Sequence, residues 1–511
     1  MSLTHSFNTR LVFRVMGALL IIEAVFMFLA TAVSFGYGEW DSQALLISSV
    51  LSLVGGLLGM WIGRDASKKY GHKESYLIVA MTWVVFSFFG MMPYYFSGII
   101  PNYTDAFFET IAGFTTTGCT ILQGSFENYV PHGLLFWRAT TQWLGGMGII
   151  VLSLAILPMF GFSGMQLYTA EVTGPTYEKL TPQIQKTAGI TWGLYVILTF
   201  VEAIMLKLCG MNFFDAICHS FSTIATGGFS TKGRSLVEFH TLAQTDPSIH
   251  YIGIEYTIML FMLLSGINFA ILYFVIFKHR FRRLWEDEEC RWYLSACVIV
   301  GLIVSVGLFV NNYSSATEEG MSVAKLSEES FRHGMFTTIA TITTTAFANC
   351  DYTTWQPFMW TIIFFLMLTG GSAGSTSGGI KWVRISIFVK NGFAEFKRLI
   401  HPSAVIPPKI NGKVIRSATI TNVMAFFQFY IIIVAGATLS FTAMGVSFDE
   451  AVSVAFATIG NIGPGLGQYG PMGCYANFPL LGKWVMAFVM LVGRLELFTV
   501  LLLFSRELWK K

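Results

Sequence analysis

Charge is scarce in this 511-residue chain: Asp, Glu, Lys and Arg make up only 12% of it, about half the share of an average soluble domain. That scarcity, beside 54% hydrophobic residues, 15% aromatics and a mean hydropathy of +0.61, excludes both an ordinary soluble protein and a disordered one. Net charge is small as well. The 32 Lys and Arg against 29 Asp and Glu leave +3, so no nucleic-acid partner is expected, and where the charges lie matters more than their sum. The seven cysteines (Cys119, Cys209, Cys218, Cys290, Cys297, Cys350 and Cys474) form no CxxC pair. Scattered mostly through apolar stretches, they read as buried, inert thiols rather than as a disulfide frame or zinc site. Nothing is left over for a soluble ATPase domain, and no nucleotide-binding motif is present.

What is present is a series of apolar runs near the roughly 20 residues that a helix needs to cross hydrocarbon. Ten spans are expected, near 11–35, 43–63, 76–97, 133–158, 187–209, 252–277, 292–311, 357–388, 418–444 and 480–504. Arg10 and Arg14 before the first run and Ala30-Thr31-Ala32 after it resemble a signal peptide, but the run is long for one and its retention is expected. With both termini in the cytoplasm, most basic residues fall inside, among them Lys278, Arg280, Arg282, Arg283 and Arg291 in one short loop. The segment from Lys381 to Arg416 adds eight Lys or Arg, and His401-Pro402 and Pro407-Pro408 make it a surface connection. Lys207, Lys232, Arg234, Lys325, Arg332 and Lys483 fall outside, and Arg138 and Arg494 lie within apolar spans.

Four segments that are too short to span align with one another without gaps. They run from Asp105 to Phe114-Thr-Thr-Thr-Gly118, from Asp215 to Ala225-Thr-Gly-Gly228, from His333 to Ile342-Thr-Thr-Thr-Ala346, and from Glu450 to Ile459-Gly-Asn-Ile-Gly463. Their starting points lie 110, 118 and 117 residues apart, and one span flanks each on either side. The expected fold is therefore an all-α membrane protein with four pseudo-symmetric repeats of helix, re-entrant pore loop and helix around a central pore, preceded by two N-terminal helices. The expected divisions are 1–75 for the N-terminal pair, 76–184, 185–290 and 291–416 for the first three repeats, the third with a broken second helix, and 417–511 for the fourth. Tight helix packing also enriches small residues, but it spaces them along continuous helices, whereas these cluster after a short amphipathic segment. Non-helical backbone at membrane depth survives where it is buried in protein or lines water.

A loop rich in Thr and ending in Gly can present consecutive backbone carbonyls, and rings of carbonyls can replace the hydration shell of potassium. The contributors expected on that basis are Thr116, Thr117 and Gly118; Thr226, Gly227 and Gly228; Thr344, Thr345 and Ala346; and Asn461, Ile462 and Gly463. None carries a charged side chain, which favours a weakly hydrated monovalent cation over a divalent one. Asp105, Asp215 and Glu450, at the starts of three half-helices, read as caps and dipole partners. His219 and His333 read as satisfied polar groups, with proton relay as the alternative.

Taken in order, Phe114-Thr-Thr-Thr-Gly118, Ala225-Thr-Gly-Gly-Phe-Ser230, Gly370-Gly-Ser-Ala-Gly-Ser-Thr-Ser-Gly-Gly-Ile-Lys381 and Asn461-Ile-Gly-Pro-Gly-Leu-Gly467 resemble the TrkH family. These are the membrane subunits of Trk potassium-uptake systems, in the superfamily shared with KtrB and the plant HKT transporters. The resemblance covers essentially the whole chain, and the two extra N-terminal spans favour the TrkH branch. It implies a single-file potassium path whose signature glycines match Gly118, Gly228 and Gly463. Ala346 departs from that pattern, so either the third loop is shaped differently or potassium is less sharply preferred over sodium. On the second alternative, Ala346→Gly would sharpen the preference.

The resemblance also implies a homodimer in the bacterial inner membrane and a cytosolic nucleotide-binding regulator resembling TrkA. The basic segments 278–291 and 381–416 are candidate docking surfaces for it, or else topology signals at lipid headgroups. Potassium is expected both as cargo and as the ion bound in the filter, with no organic cofactor on this chain.

The stretch Gly370–Gly379 interrupts an apolar span, where a continuous helix would be costly. It lacks the spacing of a phosphate-binding loop. The resemblance makes it an intramembrane gate, with Gly370, Gly371, Gly374, Gly378, Gly379 and Arg494 as its candidate residues. For Arg494 the alternative is structural pairing with Glu496 or with carbonyls. Arg138 is expected to snorkel or to brace a pore helix. The function expected is potassium uptake across the plasma membrane, without bond chemistry. The alternatives are a sodium-permeable or sodium- or proton-coupled potassium transporter and, from another class, an intramembrane enzyme, although no convergent His, Asp and Cys set supports the last.

Overall fold

The computed structural model describes residues 7–66, 72–148, 184–318 and 320–509. Six helices in it are long and apolar enough to cross a membrane, and the chain is a multi-pass helical membrane protein. The N-terminal pair, Thr9–Tyr37 and Ser42–Ile62, packs along glycines. A Cβ added at Gly17 would come within 2.6 Å of the Gly56 carbonyl, so the backbones touch there, as small residues permit in lipid. Four repeats follow. Each has a first helix, a pore helix directed at the centre, an irregular loop and a second helix.

In the first repeat these are His72–Gly90, Tyr103–Phe114 and His132–Gly146, with a short helix Met92–Phe96 after the first. The span expected to reach residue 158 is helical to Gly146, and residues 149–158 lie outside the described residues. The second repeat has Ile184–Leu208, Phe213–Ile224 and the pair Tyr251–Ser265 and Phe269–Lys278. The third has Glu288–Glu318, Val323–Ile342, Pro357–Leu366 and Trp382–Ile400. The fourth has Ser417–Ala443, Phe448–Ile459, Leu480–Arg494 and Phe498–Leu503.

Two expected spans are corrected. Residues 252–277 do not form one helix: the chain bends by 111° between Ser265 and Phe269, and the Asn268 side chain accepts the Ala270 N–H at 2.8 Å to start the next helix. Residues 480–504 are likewise broken after Arg494, where Glu496 and Leu497 take positive φ of 52° and 63°. The third repeat is broken as expected, between Leu366 and Trp382. Its pore helix is 20 residues long against 12 in each of the others, starting at Val323, before the aligned segment that begins at His333. One small hairpin departs from all-α: Lys409–Ile410 pairs antiparallel with Lys413–Val414. Its turn is Asn411-Gly412, both at positive φ, the sequence that a tight two-residue hairpin turn favours.

Candidate ion pathway

All four pore helices end in the same way. Thr116, Thr226, Thr344 and Asn461 take left-handed φ of 52°, 54°, 56° and 52°. The next residue folds its N–H back onto the last turn: Thr117 to Ala112, Gly227 to Ser222, Thr345 to Ala340 and Ile462 to Ala457, at 2.8–2.9 Å. Such a cap usually takes glycine. A β-branched residue there is a backbone outlier, costing about 1–3 kcal/mol, and three of the four positions are Thr.

One residue further on the chain is left-handed again, at Gly118 (81°), Gly228 (77°), Ala346 (53°) and Gly463 (105°). Ala346 thus adopts the backbone of the three glycines, and the expectation that its loop is shaped differently is corrected. These four residues line one cavity of about 60 Å³. The loops abut: a Cβ at Gly118 would sit 2.3 Å from the Gly227 oxygen, at Gly228 2.0 Å from that of Thr345, and at Gly463 2.5 Å from that of Thr117. Side chains also hold some of these carbonyls from behind. Gln142 Nε2 donates to Gly227 (2.7 Å), whose oxygen keeps its second lone pair, whereas Gly463 accepts from both Tyr475 Oη (2.7 Å) and the weak donor Cys119 Sγ (3.3 Å).

Directly beneath lies the glycine-rich segment. Gly370 N–H donates to the Ile380 carbonyl (2.9 Å) and Gly371 N–H to Ser377 Oγ (2.8 Å), tying its two ends together. Gly378 N–H donates to Thr344 Oγ1 of the third loop (2.8 Å). A Cβ at Gly378 would meet Gly460 and Asn461 of the fourth loop. Thr376 Oγ1 donates to the Ile224 carbonyl beside the second loop (2.9 Å). The segment also fills the bend in the second repeat, where Ser372 N–H donates to the Gly266 carbonyl and Phe269 N–H to that of Gly374. Gly374 and Gly379 both take positive φ.

Arg494 completes the contact. Its guanidinium donates to Thr116 Oγ1 (3.0 Å), to the Thr376 carbonyl (2.9 Å), and to the carbonyls of Gly145 (2.6 Å) and Gly146 (2.8 Å). It therefore joins the first loop, the glycine-rich segment and the end of the first repeat's second helix. Glu496 pairs with Arg384 at 2.5 Å.

The other charges brace the loops. Buried Arg138 pairs with Glu109 on the first pore helix (2.7 Å) and donates to the Ser230 carbonyl (2.9 Å), so it braces and does not snorkel. His219 is bonded at both nitrogens, to the Asp215 carbonyl and to Ser230 Oγ. His333 Nε2 lies 3.7 Å from Glu329. Asn102 and Asn212, not Asp105 and Asp215, cap the first two pore helices, and at the fourth the N-cap position is Ser447, without a side-chain cap bond. Asp105 instead pairs with buried Lys483 (2.6 Å), Asp215 pairs with Lys232 (3.2 Å), and Glu450 accepts the Gln468 N–H (3.1 Å).

Sequence reading passed over Gln142, Tyr475 and Glu289. Glu289 accepts the N–H of Ala373, within the glycine-rich segment, and of Val383, just beyond it. For Gln142 the available signal was an amide inside an apolar run; Tyr475, in a loop, and Glu289, in a charged stretch, carry none.

A family described as TrkH, cation transport protein, matches residues 42–511. The chain belongs to the TrkH family. Among its relatives are the Trk system potassium uptake proteins TrkH of Halomonas elongata (35% identical, covering 99% of this chain and all of the relative) and TrkG of Escherichia coli (31%, covering 98% and 99%). The crystal structure of the potassium transporter TrkH from Vibrio parahaemolyticus superposes with a TM-score of 0.84 at 32% identity, over 98% of this chain and all of that one. Membership in the TrkH family thus extends over nearly the whole chain, loops and glycine-rich segment included.

Proposed function

We propose that this chain is the membrane subunit of a potassium-uptake system. In this reading potassium passes inward in single file through the four loops, coordinated by backbone oxygens of residues 116–118, 226–228, 344–346 and 461–463 and not by charged side chains. The observation that carries it is the shared geometry of the loops, two left-handed residues apiece, all meeting at one cavity. Relatives that match nearly end to end are named potassium uptake proteins.

The segment 370–380 and Arg494 form the gate. The segment's contacts to the second, third and fourth loops and the cation beside the first support that role, since a fixed positive charge below the loops opposes cation passage. The chain works as a homodimer in the bacterial inner membrane with both termini inside, a topology supported by the basic segments 278–291 and 381–416. Those segments dock a cytosolic nucleotide-binding regulator resembling TrkA. The divisions 1–75, 76–184, 185–290, 291–416 and 417–511 are its structural units. No bond is made or broken.

Rubidium uptake into liposomes holding the purified chain, driven by internal potassium, tests this reading. Block by external potassium at far lower concentration than by sodium is expected. Equal block by both ions overturns selectivity, and absence of uptake with and without a regulator overturns the pathway.

A further inference from the structure

We propose that Gln142 is a positioning residue for ion discrimination, supplying to the second loop a brace that the loop's own sequence lacks; this rests on the pathway reading above. In the first and third loops two threonines lock each other. Thr115 Oγ1 lies 2.8 Å from Thr117 Oγ1, and Thr343 Oγ1 lies 2.8 Å from Thr345 Oγ1. The second loop has Ala225 and Gly227 at those places and so has no hydroxyl for either half of the lock.

Gln142, fully buried on the first repeat's second helix, takes over. Its Nε2 donates to the Gly227 carbonyl at 2.7 Å and its Oε1 accepts the Phe229 N–H at 3.0 Å. One side chain thus grips the backbone on both sides of left-handed Gly228. The amide also occupies the room of the missing side chain: a Cβ on Gly227 would lie 2.3 Å from Gln142 Cδ. With Gln142 in place, position 227 therefore has room only for glycine.

A double donor–acceptor grip fixes the direction of two successive peptide units, which a packing contact alone does not do. In a ring that selects by the number and direction of its carbonyl dipoles, a freed limb can close on a smaller ion. Loss of Gln142 is therefore expected to admit sodium before it abolishes uptake.

Rubidium uptake by the full-length protein in liposomes, competed by potassium or sodium, tests this. Gln142→Ala is expected to lower the sodium concentration for half block by roughly three- to tenfold, the scale of one buried hydrogen bond, with potassium block little changed. Ala225→Thr/Gly227→Thr with the amide in place is expected to lose uptake by collision. Adding Gln142→Ala to that pair rebuilds the threonine lock in the vacated space and is expected to recover uptake and sodium rejection.

Gln142→Met fills nearly the same space without the amide donor or acceptor, so it reports even if the alanine variant does not fold. Unchanged sodium rejection in both single variants, or failure of the triple variant to improve on the threonine pair, overturns the proposal. A wild type that does not discriminate the two ions overturns the pathway reading and this inference with it.

Discussion

At residue scale the second left-handed position of each loop separates two kinds of cost. Gly228 has no room for a side chain, because a Cβ would sit 2.0 Å from the Thr345 oxygen. Gly228→Ala must push a neighbouring loop aside, and rubidium uptake is expected to fall at least tenfold while the protein still purifies as a folded species. Ala346 shows the opposite case. Its side chain is accommodated, and what remains is the backbone strain of φ 53°, about 1–2 kcal/mol for a residue with a Cβ. Ala346→Gly is expected to raise the thermal unfolding midpoint and, because the backbone already matches that of the glycines, to leave sodium block within about twofold. A sharp gain in potassium preference would show that the methyl group, and not the backbone, loosens the ring.

At the scale of elements, the glycine-rich segment is held by hydrogen bonds to parts that belong to other repeats, so it can be released without unfolding it. Arg494→Gln removes the charge and most of four contacts. Uptake without a regulator is expected to rise several-fold, with Arg494→Lys in between because one ammonium cannot reach all four partners. Deleting Ser375–Ser377, which removes Thr376 and its bonds to Ile224, Ser265 and Arg494, is expected to raise uptake as well; unchanged rates in both cases would count against a gate. The repeats were legible because their Thr and Gly clusters recur in register, and the broken third repeat because five glycines cannot continue a helix. The bends at Ser265–Phe269 and Arg494–Phe498 were not legible. Apolar residues flank both, and Glu496 and Leu497 adopt left-handed angles for which their side chains give no sign. What imposes them is tertiary: the Gly374 carbonyl meets the freed Phe269 N–H, and Arg494 meets carbonyls of the first repeat. The hairpin at Asn411-Gly412 did carry its turn signature, hidden in a stretch read only for its charge.

At the scale of the whole molecule, the four repeats must close into a ring, and buried ion pairs sit where that closure is made. Arg332 of the third repeat meets Glu255 of the second at 2.6 Å, and Lys483 of the fourth meets Asp105 of the first at 2.6 Å. The second of these joins the last repeat to the first, alongside Tyr475, whose N–H donates to the Thr120 carbonyl at 2.8 Å. Buried pairs add little over apolar replacements, but removing one partner leaves a charge without compensation, which costs about 3–5 kcal/mol at a fully buried site and less at Asp105, whose side chain is a fifth exposed. Lys483→Met should therefore lower the unfolding midpoint of the detergent-solubilised protein markedly. Asp105→Asn/Lys483→Met, with no stranded carboxylate, should recover much of the loss. Sodium rejection adds the decisive reading. If the pair serves ring closure, Lys483→Met loosens the seam between the fourth and first loops, and sodium block strengthens together with the fall in stability. If stability falls while sodium block stays at the wild-type value, the loops are held in register by their own caps, and the pair acts only on folding.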